Sequence, residues 1–184
     1  MTAVSEYSKL TGNSPKQILL ERKQIEARIA ELGAEITRDY QDKKPVLIGV
    51  LNGCFIFIAD LVRRMQLDME IDFVKLSSYG NEQESSGKIK IHKDINTNIH
   101  GRHVLVVEDI VDTGLSVGFL HEKLSVLEPA SLKFVTLLKK DKAKINFKID
   151  YIGFEIPDRF VVGYGLDHGQ LLRNLPDIYT MDRK

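Results

Sequence analysis

Apolar positions along the chain fall into two rhythms. After Ser14 and Pro15, an N-cap and a first-turn proline, Ile18, Leu19, Ile25, Ile29 and Leu32 recur at roughly helical spacing and predict an amphipathic N-terminal helix. Beyond Pro45 the rhythm changes to short β-branched and aliphatic runs. VLIGVL predicts a strand, Asn52 and Gly53 a tight turn, and FIFIADLVRRM a helix. A second strand is expected over 71–77. The stretch after it, SYGNEQESSGK, replaces any apolar period with glycine, serine and charge, so 80–88 reads as a mobile loop.

The alternation continues. Residues 89–92 suit a hairpin return, 103–107 a strand, EDIVDTGLS a loop, and Phe119, Leu120, Leu124 and Leu127 a helix that Pro129 ends. Residues 132–138 supply another strand, stopping at Lys139 and Lys140. Strands alternating with helices predict an α/β fold, with a central, mostly parallel sheet, right-handed crossovers and helices on both faces. From 151 onward there are short strands and turns without a long helix. That tail and the N-terminal helix are expected to form a small hood lobe over the carboxyl ends of the central strands, where open α/β sheets place ligands. The expected organisation is a single domain, with a core over about 38–150 and a hood from about 1–37 and 151–184.

Composition narrows the function classes. A chain of 184 residues suits one domain, and 26 basic against 26 acidic side chains leave no net field toward nucleic acid or an anionic membrane. The single cysteine, Cys54, sits among apolar residues; it reads as a small buried side chain and excludes both an intramolecular disulfide and a Cys-rich zinc site. The N-terminal MTAVSEYSKLTGNSPKQ lacks a basic stretch followed by an apolar run, and no apolar run approaches the ~20 residues that span a bilayer. A cytoplasmic location, with neither membrane nor nucleic-acid partners, is the expectation.

The densest chemistry lies in 104–116, VLVVEDIVDTGLS. Gly114 lets backbone approach a ligand closely, and the turn into the next helix offers unpaired amides beside the Thr113 and Ser116 hydroxyls, a cradle for a monophosphate. Glu108 and Asp109 are paired acids that are costly at a strand end unless a cation or hydroxyl donors lie between them and a substrate; capping the helix or facing water is the plainer alternative. Asp-Thr-Gly alone also occurs in aspartic proteases, but those need two such carboxylates, and the triplet occurs once here.

VVEDIVDTGLS closely resembles the phosphoribosyl pyrophosphate motif of type I phosphoribosyltransferases. Further along, FEIPDRFVVGYGLD (154–167) resembles the base-binding segment of their hypoxanthine-guanine members, and the similarity spans about 45–173. The resemblance implies a magnesium-dependent transfer of ribose 5-phosphate from phosphoribosyl pyrophosphate to a 6-oxopurine, in a homodimer or homotetramer. It implies Asp112 as the general base at purine N7, with Thr113, Gly114, Leu115 and Ser116 on the 5-phosphate. Glu108 and Asp109 would lie near the ribose hydroxyls and Mg2+. Phe160 would stack on the purine, Val161 would bond it through its backbone, and Lys140 would donate to the exocyclic oxygen. Asp167 would hold a second Mg2+, Arg173 would contact pyrophosphate, and Ser78 and Tyr79 would begin a closing loop. Many relatives carry Lys or Arg where this chain has Asn52, so the amides of Asn52, Gly53 and Cys54 would bind pyrophosphate instead. Two other readings are an RNA-binding regulator that keeps the fold, disfavoured by neutral charge and a complete base platform, and a transferase for xanthine or a pyrimidine.

Overall fold

The computed structural model describes residues 7–8, 14–78 and 89–182. Six strands form the main sheet: β2 (Val46–Leu51), β3 (Glu70–Ser78), β4 (Ile89–Lys93), β5 (His103–Val111), β6 (Ser131–Lys140) and β7 (Tyr151–Ile156), in the order β4-β3-β2-β5-β6-β7. All pairs are parallel except β3 with its edge neighbour β4. The predicted α/β architecture is therefore the observed one.

Alternation along the buried strands assigns their two faces. Leu47, Leu105, Val107, Val135 and Leu137 point to one side, onto α1 (Arg22–Asp39) and α2 (Phe55–Val62), which bury Ile25, Ile29, Leu32 and Ile36, and Phe57, Ile58 and Leu61. Val46, Ile48, Val104, Val106 and Phe134 point to the other, where α3 (Leu115–Ser125) buries Val117, Leu120 and Leu124. Near-continuous Val/Ile/Leu runs are what a parallel sheet covered on both faces requires.

The N-terminal helix starts later than its apolar spacing predicts. Gln17–Leu20 is strand β1, pairing antiparallel with β9 (Ile178–Met181), with Gln17 opposite Thr180. A partner strand overrides the helical spacing of Ile18 and Leu19. The helix is started instead by Glu21 and Gln24, whose side chains and backbone amides cap each other reciprocally.

The lobe is also smaller than expected. It holds the three-stranded sheet β1-β9-β8, where β8 is Phe160–Val162, with the turns that follow β8. β7 lies in the main sheet, because Tyr151 and Ile156 complete its core, and α1 packs on the main body. Arg28 fastens α1 to β7, donating to the carbonyls of Ile152 (2.8 Å) and Gly153 (3.1 Å). No helix among the described residues is long and apolar enough to cross a membrane.

Asp72 secures the approach to β5. Its nearly buried carboxylate accepts from the amides of Phe73 (2.7 Å), Asn96 (2.6 Å) and Thr97 (3.0 Å) and from Lys93 Nζ (2.9 Å). Burial opposes its ionisation, but these donors outweigh burial and hold Asp72 well below the usual carboxylate range. A depressed folded-state pKa gives stability that is full above the unfolded value of about 3.9 and fades as pH falls toward the folded one. Asp72→Asn should lower stability by about 1.5–3 kcal/mol in urea titrations at pH 7. The gap to wild type should begin to close only below about pH 4.

Candidate active site

The carboxyl ends of β2, β5 and β6 meet the lobe, and the candidate residues gather at that edge. β5 runs to Val111, past the expected end at Val107, because Glu108, Ile110 and Val111 pair with Thr136, Leu138 and Lys139 of β6. Glu108 and Asp109 therefore lie inside a strand, only 7% and 9% exposed. Glu108 Oε2 is buried and meets no hydrogen-bond partner among the described residues. Burial, and then the neighbouring Asp109 charge, push the Glu108 carboxyl well above its ordinary value. Burial pushes Asp109 up to about 6, against the pull of its own amide, that of Ile110 and the Arg173 guanidinium; Asp167 adds to the rise. Two acids kept this dry suit a site completed by a cation or hydroxyl donors.

Past β5, Asp112, Thr113 and Gly114 turn into α3. Gly114 caps the helix at φ 94°, a left-handed conformation open to glycine. The amides of Ser116 and Val117 fall in the first helical turn, which has no intrahelical acceptor for them, while Leu115 N is held by Thr113 Oγ1 (3.3 Å). These residues, with Glu108 at one side, line a cavity of about 70 Å³. That is roughly the space of two waters, the scale of a single phosphate group. Three larger cavities, of about 510, 520 and 580 Å³, lie away from the paired acids.

Lys140, the last residue of β6, joins this loop to the lobe. Its side chain is 2% exposed, and Nζ donates to Asp112 Oδ2 (2.8 Å) and Asp158 Oδ1 (3.2 Å). Lys142 meets the same two acids, with Nζ 3.1 Å from Asp112 Oδ1 and 2.9 Å from Asp158 Oδ1. The first of these contacts is close without good hydrogen-bond alignment, since Oδ1 of Asp112 has no hydrogen-bond partner. Although burial opposes it, the two lysines hold the Asp112 carboxyl below its ordinary value, so it is ionised at neutral pH. Two residues beyond Asp158, Phe160 opens β8, half-buried, with its ring edge-on to His168 at 5.5 Å, and Val161 is buried beside it. The Tyr7 hydroxyl is hydrogen-bonded to His168 Nδ1.

The third component is the turn after β2. The Leu51–Asn52 peptide is cis, and a methyl group on Gly53 would overlap the Asp109 carboxylate. A methyl on Gly165 would in turn overlap the Gly53 carbonyl, so turn, acidic strand and tail are in close contact. Arg173 binds this tail together through the Gly165 carbonyl (2.7 Å), Gln170 Oε1 (3.0 Å) and Asp167 Oδ1 (2.8 Å). Asp177, close by in sequence, accepts from the Arg22 amide. Among the described residues no three His, Cys, Asp or Glu side chains converge as a protein-only metal cage. Ser78 ends β3, and Tyr79 with 80–88 lies outside the described residues.

Sequence reasoning passed over Asp158 and Lys142. Asp158 lies within FEIPDRF, and Lys142 lies two residues past Lys140, where a charge after a strand normally marks solvent.

Residues 16–168 match the family described as the phosphoribosyl transferase domain. The hypoxanthine-guanine phosphoribosyltransferase of Bacillus subtilis is 46% identical over 164 residues, 89% of this chain and 91% of that protein. The hypoxanthine phosphoribosyltransferase of Escherichia coli is 46% identical over 165 residues, 88% and 93% of the two chains. A crystal structure of a Bacillus anthracis hypoxanthine-guanine phosphoribosyltransferase, 45% identical, superposes with a TM-score of 0.86 over 91% of this chain and 99% of that one. The chain belongs to the phosphoribosyltransferase family, among its hypoxanthine-guanine members.

Proposed function

We propose that this chain salvages purines, joining hypoxanthine or guanine to phosphoribosyl pyrophosphate to give IMP or GMP and pyrophosphate. The observation that carries the reading is the Lys140 ammonium. At 2.8 Å from Asp112 and 3.2 Å from Asp158 it brings the phosphate cradle and the aromatic strand to one cleft. An ammonium has three N–H groups, and two are directed at carboxylates, which leaves one for the carbonyl oxygen of a 6-oxopurine. Phe160 would stack on the ring, and the Val161 backbone would bond its edge.

As pyrophosphate leaves C1 of the sugar, an oxocarbenium-like centre forms and negative charge grows on the leaving group. Arg173 and the amides of Asn52, Gly53 and Cys54 would receive that charge, while Thr113, Gly114, Leu115 and Ser116 would hold the 5-phosphate. Positioning of base and sugar has the largest potential share of the rate enhancement. Ionised Asp112 would take the N7 proton. A buried Glu108 oxygen without a hydrogen-bond partner among the described residues, beside the Asp109 carboxylate, suits Mg2+, which binds through one or two carboxylates and substrate phosphate oxygens. Glu108, Asp109 and Asp167 would hold it, and it would supply charge neutralisation on the pyrophosphate. The substrates are small molecules; self-association into a dimer or tetramer would cover Phe55, 45% exposed at the start of α2.

Incubation with phosphoribosyl pyrophosphate, Mg2+ and a panel of free bases tests the reading, by which nucleotide appears. Hypoxanthine and guanine should be used at least ~10²-fold better than adenine, whose amino group would leave the Lys140 donor unpaired. Adenine as the better substrate would refute it. Asp112→Asn should slow the forward reaction by ~10²–10⁴ in single-turnover measurements. Asp109 yields a different signature. Its raised pKa means that ionisation at neutral pH costs folded-state stability, and this cost fades as pH falls through about 6. Asp109→Asn should therefore be more stable than wild type by about 1–3 kcal/mol at pH 7.5 without ligand, with the gap narrowing by pH 5, while activity is largely lost.

A further inference from the structure

Lys140 and Lys142 both contact the same two carboxylates, in a closed ring of four charges with N–O separations of 2.8, 3.2, 3.1 and 2.9 Å. The two lysines differ in burial. Lys140 is 2% exposed and points inward from the end of β6, whereas Lys142 is 34% exposed on the following turn. Without Lys142, two carboxylates would compete for one ammonium. Every N–H of Lys140 would then be drawn toward an anion, since charged acceptors outbid a neutral carbonyl. With Lys142 present, each carboxylate has a second cation, and Lys140 meets each acid through one N–H. Tetrahedral geometry then fixes the direction of its third N–H away from both.

We propose that Lys142 is a positioning residue that sets base specificity. It shares Asp112 and Asp158 with Lys140 and so keeps one Lys140 N–H for the purine carbonyl. This rests on the 6-oxopurine reading above and deepens it. Lys142 touches neither base nor sugar in this role; it acts through the two carboxylates. Because Lys142, Asp112 and Asp158 are 34%, 43% and 36% exposed, the effect of the ring is limited to that of a partly screened ion pair.

The test is steady-state kinetics of the full chain with hypoxanthine and adenine, at saturating phosphoribosyl pyrophosphate and Mg2+, and then with the pyrophosphate substrate varied. Lys142→Met should raise KM for hypoxanthine about three- to fivefold and narrow the preference over adenine by a similar factor. KM for phosphoribosyl pyrophosphate should stay at the wild-type value, and Lys142→Arg should behave as wild type. Asp158→Asn removes one of the two anions that compete for Lys140 and should by itself leave that KM near the wild-type value; Lys142→Gln serves as the second probe if Lys142→Met melts early. The double variant restores one cation to one anion and should recover both the hypoxanthine KM and the preference over adenine; a shared ion-pair network is non-additive in stability as well, so the base preference is the readout that a purely structural role would not move. Unchanged hypoxanthine KM, an equal rise for both substrates, or additive losses in the double variant would overturn the proposal with the function intact. Failure of the wild-type chain to form any nucleotide would overturn the function and this inference with it.

Discussion

A lysine ammonium buried to 2% exposure is the constraint on which the cleft depends. Taking such a charge out of water costs several kcal/mol unless acceptors surround it. The acceptors come from two parts of the fold that the sheet alone would not join. Asp112 lies in the loop between β5 and α3, and Asp158 precedes β8 of the three-stranded lobe. Satisfying Lys140 therefore fixes the lobe against the end of the parallel sheet. It also sets the separation between the loop at Thr113–Ser116 and the aromatic ring at Phe160.

The two halves of the cleft are poised differently. Around Lys140 two ammonium groups face two carboxylates, and Asp112 is held ionised by its lysines. At the end of β5, Glu108 and Asp109 are buried with raised pKa values, and a Glu108 oxygen has no hydrogen-bond partner among the described residues. The first half is preorganised at little cost to the free chain. The second stores unfavourable energy that a polyhydroxylated, cation-bearing substrate would release, which is how binding energy is directed to a reacting centre. Stability and function thus pull in opposite directions at adjacent residues of one strand.

Much of this was legible in the sequence because parallel strands buried on both faces read as continuous aliphatic runs. VLIGVL and VLVV sit where β2 and β5 do, and the helices after them follow. What misled was local pattern under tertiary control. Ile18 and Leu19 have helical spacing, yet both lie in β1, where Ile18 pairs with Tyr179 of β9, some 160 residues away. Glu108 and Asp109 look like a loop by polarity, yet the register with β6 carries the strand through them. The tail read as one lobe, but Tyr151 and Ile156 supply core contacts that only the sixth strand of the main sheet can make. Side-chain chemistry was legible where a motif concentrated it, as in VVEDIVDTGLS. It was illegible where function arises from convergence, and neither Lys142 nor Asp158 has a local signal that distinguishes it from a solvated surface charge.

The turn after β2 shows how packing decides which departures from the family pattern matter. Asn52 heads this turn, where the family resemblance implies a cation, and its side chain is exposed. The backbone beside it is confined, with Gly53 against the Asp109 carboxylate on one side and its carbonyl against Gly165 on the other. Neither glycine has room for a β-carbon, so the elements around the turn specify main-chain position and leave the side chain at 52 unconstrained. An anion approaching Asp109 and Arg173 would meet the turn through its amides, and amide donors carry no requirement for a lysine or arginine at that position. The loss of one charge weakens long-range attraction, which solvent screens, and leaves the short-range geometry of the turn as it was.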